Sequence, residues 1–156
     1  MDENRSKRRT ETLMITATVL CLALNIYFEA RNQPIVGQIG VAQVVLNRVD
    51  SEHYPNTICE VIKDAEYYDN GKLKKHRCQF SWFCDGKSDH PEDIDAFRWA
   101  LIVAEIVLEG EVHDFIGDAT HFHAAHINPE WASRAEHIVT VGDHLFYRFK
   151  KSKIKQ

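Results

Sequence analysis

An apolar run from Leu13 to about Phe28 leads directly into Tyr27-Phe28-Glu29-Ala30-Arg31. Arg5, Lys7, Arg8 and Arg9 precede it, which gives the outline of a signal peptide or membrane anchor. Thr16, Thr18 and Asn25 interrupt the run, whereas a spanning helix needs about 20 unbroken apolar residues. No small-x-small cleavage site closes it. The run is therefore expected to form a buried helix from about Glu11 to Arg31, apolar on most sides and central in the core. The rest of the chain has to supply its cover.

That remainder is enough for one domain. The 156 residues are 44% hydrophobic and 27% charged, a globular composition. Residues 1–10 read as a charged, disordered start, 11–149 as a single domain, and 150–156 as a basic tail carrying Lys150, Lys151, Lys153 and Lys155. Nineteen Lys and Arg against 23 Asp and Glu give a net charge of −4, which argues against a nucleic-acid binder.

Punctuation along the chain sets the other elements. Pro34 is placed to open a second helix, with Ile35, Ile39, Ala42, Leu46 and Val49 on one amphipathic face. Thr57-Ile58-Cys59-Glu60 has the form of a capping box and opens a short third helix. Tyr67 to Arg77 is polar and basic and reads as a surface loop. Cys78 to Phe83 reads as a short aromatic strand ended by a turn at Asp85-Gly86. Asp89-His90-Pro91-Glu92 starts a long helix with the face Ile94, Phe97, Leu101, Ala104 and Leu108, and Gly110 stops it. Thr120–Ala124, a turn at Asn128-Pro129, and two runs (His137–Val141, His144–Phe149) joined by Gly142-Asp143 predict a late hairpin. The sum is an α+β fold, mainly helical, with a small antiparallel sheet late in the chain.

Four cysteines, Cys21, Cys59, Cys78 and Cys84, are too few and too unevenly spaced for a disulfide-built mini-domain, and none forms a C-x-x-C pair. Cys21 is expected to be a buried thiol. Cys78 and Cys84, with Cys59 upstream, allow one bridge in an oxidising compartment, and free thiols fit equally well.

Three constellations could carry chemistry. Glu29, beside Tyr27 and Phe28, is either a solvated helix-end carboxylate paired to Arg31 or a desolvated one. A desolvated carboxyl holds its proton near neutral pH and serves as a general acid. In Gln79–Gly86, a strand would turn Gln79, Ser81 and Phe83 to one side and Phe80, Trp82 and Cys84 to the other. Polar groups beside aromatic rings suit sugars. In His121-x-His123-x-x-His126, a strand would aim His121 and His123 the same way, a legitimate zinc spacing that Asp118, Glu130 or Glu136 would complete. Trp131 is either a packing residue or a sugar-stacking platform.

Taken in order, the runs Cys21 to Arg31, Gly37-Gln38 with Val41–Val49, Tyr54–Cys59, Cys78–Trp82 with Asp85-Gly86, Ala119–Ala124 with Pro129 and Trp131, and Gly142 with His144–Arg148 strongly resemble the SleB/CwlJ-type cell wall hydrolase family. The resemblance spans roughly residues 20–149. It implies a lysozyme-like fold that cleaves peptidoglycan glycan strands between N-acetylmuramic acid and N-acetylglucosamine, as a lytic transglycosylase. Glu29, the glutamate of the Tyr-x-Glu-Ala-Arg motif, would then be the general acid and base, with no cofactor and no metal. Tyr27, Gln79, Ser81, Trp82, His123 and Trp131 would line the substrate. A hydrolytic muramidase would need a second carboxylate, for which Asp85 is the candidate. The alternative outside glycan chemistry is a zinc-dependent wall amidase or peptidase using His121 and His123. A non-enzymatic wall-binding protein is a third class, against which the intact motif speaks. Implied with the leading reading are peptidoglycan as partner, no nucleic acid, no stable membrane insertion, a monomer, and action at the bacterial cell envelope. A phage lysin made in the host cytoplasm without a cleavable signal peptide would fit.

Overall fold

The computed structural model describes residues 17–150. The charged N-terminal stretch, the expected helix start near Glu11 and the tail beyond Lys150 lie outside the described residues. Helix α1 covers residues 17–30, followed by α2 (Ile35–Val49) and the short α3 (Ile58–Ile62). A two-stranded hairpin, β1 (Ala65–Tyr67) and β2 (Leu73–Cys78), leads to a 3-10 turn at Ser81–Cys84 and then to α4 (Ile94–Leu108). Strands β3 (His121–Ala124), β4 (Glu136–Val141) and β5 (His144–Arg148) close the chain, with a second 3-10 turn at Glu130–Arg134. These three form an antiparallel sheet in the order β3-β5-β4. The molecule is the α+β, mainly helical fold that the sequence pattern predicts.

Several local rules hold. The Thr57 side chain accepts from the Glu60 amide at 3.3 Å and caps α3. Gly110 takes φ +72° just past α4, and Gly142 takes φ +58° in the β4–β5 turn, backbone that a side chain would strain. Among the described residues no helix is long and apolar enough to cross a membrane.

The core corrects three expectations. Helix α1 is buried as expected, with Leu22, Ala23, Asn25 and Ile26 fully enclosed and Leu20 exposed, but α2 does not present the single apolar face expected of it. Its first turn, at Ile35 and Val36, is exposed, and its buried residues fall into two clusters. Ile39, Ala42 and Val45 of α2 join Leu22, Ile26, Ile62 and Val103 in one cluster. Val41 and Val44 join Ile116 and Phe146 in a second, beneath the sheet. A helix packed on both sides cannot show a single amphipathic face. Gly40 lets the sheet approach: a Cβ there would lie 2.8 Å from the Phe146 ring and 3.3 Å from Ile116.

Helix α4 is also rotated from its predicted face. Ala100, Val103, Ala104 and Val107 are buried, while Ile94 stands exposed. Asp93, not the Asp89–Glu92 stretch, caps it, accepting from the Ala96 amide at 3.0 Å.

The third correction concerns residues 67–84. The expected surface loop is mostly strand β2, whose basic sequence lacks the alternation that marks a strand. The expected strand from Cys78 onward is mostly a 3-10 turn, because Cys78 and Cys84 are bonded to each other. Their Cα atoms are 6.1 Å apart, whereas an extended segment of that length would span about 20 Å. Cys21 is no free thiol either: it is bonded to Cys59.

Candidate active site

Glu29 stands at the end of α1, half-buried, directly after two aromatic residues that pack on other rings. Phe28 stacks on Trp82 with centroids 4.9 Å apart and planes at 17°. Trp82 in turn donates its indole N–H to Asn25 Oδ1 at 2.8 Å, both side chains buried. Tyr27 is only 3% exposed, and its hydroxyl accepts from the Asp93 amide at 3.1 Å. Its ring meets Phe28 edge-on and lies 4.7 Å from the Arg31 guanidinium. Tyr27 and Trp82, expected to touch substrate, are both buried, the Tyr27 oxygen accepting and the Trp82 indole N–H donating a hydrogen bond within the protein.

Both disulfides act on this aromatic packing. Cys21 lies about two turns before Glu29 on α1 and fixes that helix to Cys59 of α3. The Cys78–Cys84 bond brackets Gln79–Phe83, the segment that delivers Phe80 and Trp82.

Burial of the Glu29 carboxyl disfavours its charged form and pushes its pKa up to about 7, with the Arg48 charge opposing that rise. Arg48 projects from α2 and is 5% exposed. Its Nε donates to the Thr120 carbonyl at 2.8 Å, and its guanidinium lies 5.1 Å from the Tyr54 ring and 5.0 Å from Phe80. Burial lowers its pKa against the pull of Tyr54, Glu29 and Asp64. Neighbouring Asn47 donates to the carbonyls of Gly117 and Ala119, each at 2.8 Å. Asn47 and Arg48 therefore fasten residues 117–120, and with them the start of β3, to α2. Sequence reasoning passed over both. The available signal was two adjacent polar residues, one of them charged, at the end of a mostly apolar helix.

Pairing of β3 with β5 sets His121 opposite Tyr147 and His123 opposite Leu145, so both histidines share the face turned away from Phe122 and Phe146. Trp131 closes over this face, 5.3 Å from the His121 ring, 5.7 Å from His123 and 5.3 Å from Tyr147. His123 Nδ1 lies 2.8 Å from the Ala124 carbonyl, which can only accept, and Nε2 lies 2.9 Å from the Tyr147 hydroxyl. His121 Nδ1 lies 2.9 Å from Thr120 Oγ1. Burial, helped by the Arg48 charge, pushes the His121 pKa down to about 4, so it is uncharged at neutral pH.

The zinc reading meets competition at several of its atoms. Both nitrogens of His123 are engaged. Asp118 and Glu136, expected to complete a site, are each paired to Arg148 at 3.1 Å. Among the described residues no three His, Cys, Asp or Glu side chains group so as to hold a metal ion.

Gln79 lines an open groove of about 340 Å³ together with Asp64, Glu66, His76 and Arg77. Ser81 is exposed at the start of the 3-10 turn. Asp85 ends that turn and accepts from the Lys87 amide at 2.8 Å. The charge that acts on Glu29 is Arg48, while that of Asp85 acts on Asp89. The structure thus packs Trp82 on Phe28, next to Glu29 in the chain, and brings His123 together with Trp131, while Asp85 bonds within its own turn.

Comparison with known proteins agrees with this architecture. The chain is similar to the catalytic domain of the germination-specific lytic transglycosylase SleB from Bacillus anthracis, with TM-score 0.61 and 23% identity over 84% of this chain and 93% of that one. It is also similar to the catalytic domain of the Bacillus cereus SleB protein, with TM-score 0.56 and 25% identity over 85% of this chain and 91% of the other. Among curated proteins, it is 30% identical to a spore cortex-lytic enzyme of Halalkalibacterium halodurans over 130 residues, 80% of this chain but 33% of that protein. A spore cortex-lytic enzyme of Bacillus subtilis is 46% identical over 41 residues, 26% of this chain and 13% of that protein. The chain thus spans a third or less of the length of these curated relatives. Glu29 lies just ahead of the stretch matched by the family model for cell wall hydrolases, residues 32–147. With most of its length inside that match, the chain belongs to the cell wall hydrolase family.

Proposed function

We propose that the protein cleaves the glycan strands of peptidoglycan between N-acetylmuramic acid and N-acetylglucosamine, as a lytic transglycosylase with Glu29 as its single acid and base. The observation that carries this reading is the burial of Glu29, which keeps its carboxyl protonated up to about pH 7. Protonated Glu29 gives its proton to the glycosidic oxygen as the bond to C1 of the muramyl residue breaks. The carboxylate so formed takes the proton of the muramyl 6-hydroxyl, whose oxygen bonds to C1 and closes a 1,6-anhydro ring. Atoms and charge balance, and one carboxyl serves both steps. Gln79, Ser81, His123 and Trp131 are read as the substrate-contacting groups, and residues 11–149 as the catalytic unit.

The two disulfides favour work in an oxidising compartment, in keeping with the cell envelope. A phage lysin reaching the wall from a host cytoplasm would acquire these bonds only after crossing the membrane.

Mass spectrometry of soluble products from purified peptidoglycan, with Glu29→Gln alongside, tests the reading. Anhydromuramyl ends that vanish with the variant are expected. Reducing muramic ends would mean hydrolysis and bring Asp85 forward. Free stem peptides, undiminished in the variant, would overturn the glycan reading in favour of the histidines.

A further inference from the structure

The buried guanidinium of Arg48 is only partly satisfied. Its Nε holds the Thr120 carbonyl, but its Nη1 is enclosed and has no hydrogen-bond partner. An unmade bond on a buried charged donor is costly and calls for an explanation at that site. Glu29 supplies one. Its charge and that of Arg48 act on each other, and the same disulfide-bracketed segment touches both neighbourhoods: Trp82 stacks on Phe28, next to Glu29 in the chain, and Phe80 lies under the guanidinium. Glu29 and Arg48 nevertheless form no ion pair in the described structure, whose five ion pairs all lie elsewhere. The other ionisable groups acting on Arg48 or acted on by it are Tyr54 from the α2–α3 connection, Asp64 before β1, and His121 of β3. None of these pairs with Nη1.

We propose that Arg48 is a positioning residue for the Glu29 chemistry, its unpaired Nη1 receiving the Glu29 carboxylate formed when the proton passes to the glycosidic oxygen. The inference rests on the glycan-cleavage reading above. While Glu29 is protonated, Nη1 waits. Once the proton has left, the carboxylate gains a charged hydrogen bond, and it gives that bond up again when it takes the 6-hydroxyl proton. Held by Thr120 and by two rings, the guanidinium need not reorganise between the two steps.

The test does not depend on turnover. The Arg48 side-chain N–H signals would be followed by NMR from pH 5 to 9 in the intact chain and in Glu29→Gln. The expected result is a shift with a midpoint near pH 7 that disappears in the variant, since an amide side chain carries no titrating charge. Arg48 signals that do not move with pH, or that move equally in Glu29→Gln, would overturn the proposal. Kinetics give a second arm through Arg48→Met and Arg48→Lys. Losing the cation favours protonated Glu29, so the alkaline limb of the pH profile should rise by about one pH unit in Arg48→Met. Its kcat should fall about tenfold or more with KM little changed, and Lys should restore part of both. A purely structural role would lower Tm and leave the limb in place. If the Arg48 signals titrate with Glu29 but the protein releases no glycan product, the coupling stands and the assigned reaction falls.

Discussion

Glu29 and Glu66 are the same residue type with opposite proton fates. Glu66 lies exposed on β1, where Arg77 at 3.1 Å and Lys74 at 3.6 Å hold its carboxyl below the usual carboxylate range. Glu29 has a cation in its neighbourhood too, but not in contact, and loss of water outweighs that cation and lifts its pKa to about 7. A charge partner fixes a carboxylate only where it touches it or where water remains to solvate the charge. The hairpin therefore carries a permanent anion, and the end of α1 carries a proton donor.

The largest test of this contrast is activity. Glu29→Gln should lower glycan cleavage by about 10²–10⁴-fold, the usual weight of a general acid, while Glu66→Gln leaves it unchanged. In the intact protein, cleavage should decline above about pH 7 as Glu29 loses its proton.

Stability against pH sharpens the contrast next. A carboxyl whose folded pKa is raised penalises the native state as pH climbs from its ordinary value, 4.5, through about 7. Glu29→Gln should therefore be more stable than the parent at pH 8, by about 2–3 kcal/mol, with the gain gone at pH 4. Urea melts at the two pH values measure it. An advantage equal at both would mean that burial does not govern Glu29.

Opening the bracket around the aromatic support has a comparable effect. The paired change Cys78→Ser with Cys84→Ser should cost about 2 kcal/mol, as should reductant applied to that bond alone. It should weaken glycan cleavage as Phe80 and Trp82 loosen. Retained activity would show that the support folds without its clamp.

Trp82→Phe keeps the ring stack on Phe28 but strips Asn25 Oδ1 of its donor, and Asn25 Nδ2 already lacks a partner. A loss of about 1–2 kcal/mol is expected, read as a fall in Tm. The smallest effect belongs to Glu66→Gln. Its lowered pKa makes any stabilising share present above the ordinary carboxylate range and lost as pH falls, and solvent should hold it below detection at neutral pH. A clear drop in Tm would make the hairpin less solvated than it looks.

Local chemistry was legible where a residue acts on its immediate neighbours. Thr57 before Glu60 caps α3, Gly110 ends α4, and Gly142-Asp143 turns β4 into β5, because each depends on backbone a few residues away. The motif around Glu29 singled out the carboxyl that burial keeps protonated, although a solvated Glu29 fitted the sequence as well. Legibility failed where the partner lies far along the chain. Nothing in the spacing of Cys21, Cys59, Cys78 and Cys84 states which sulfurs meet, so the 3-10 turn over Ser81–Cys84 read as a strand. Strand β2 was hidden because its basic side chains face solvent or Glu66 and leave no apolar alternation.

The sequence by itself determined the α+β class, the order of helices and late strands, and most turn positions. Tertiary structure decided that α2 packs into two clusters, that Tyr27 and Trp82 are buried with hydrogen bonds made inside the protein, and that burial outweighs the Arg48 charge at Glu29. Periodicity records how apolar each residue is and not what it meets. Burial, and the proton affinity that burial sets, belong to the assembled neighbours.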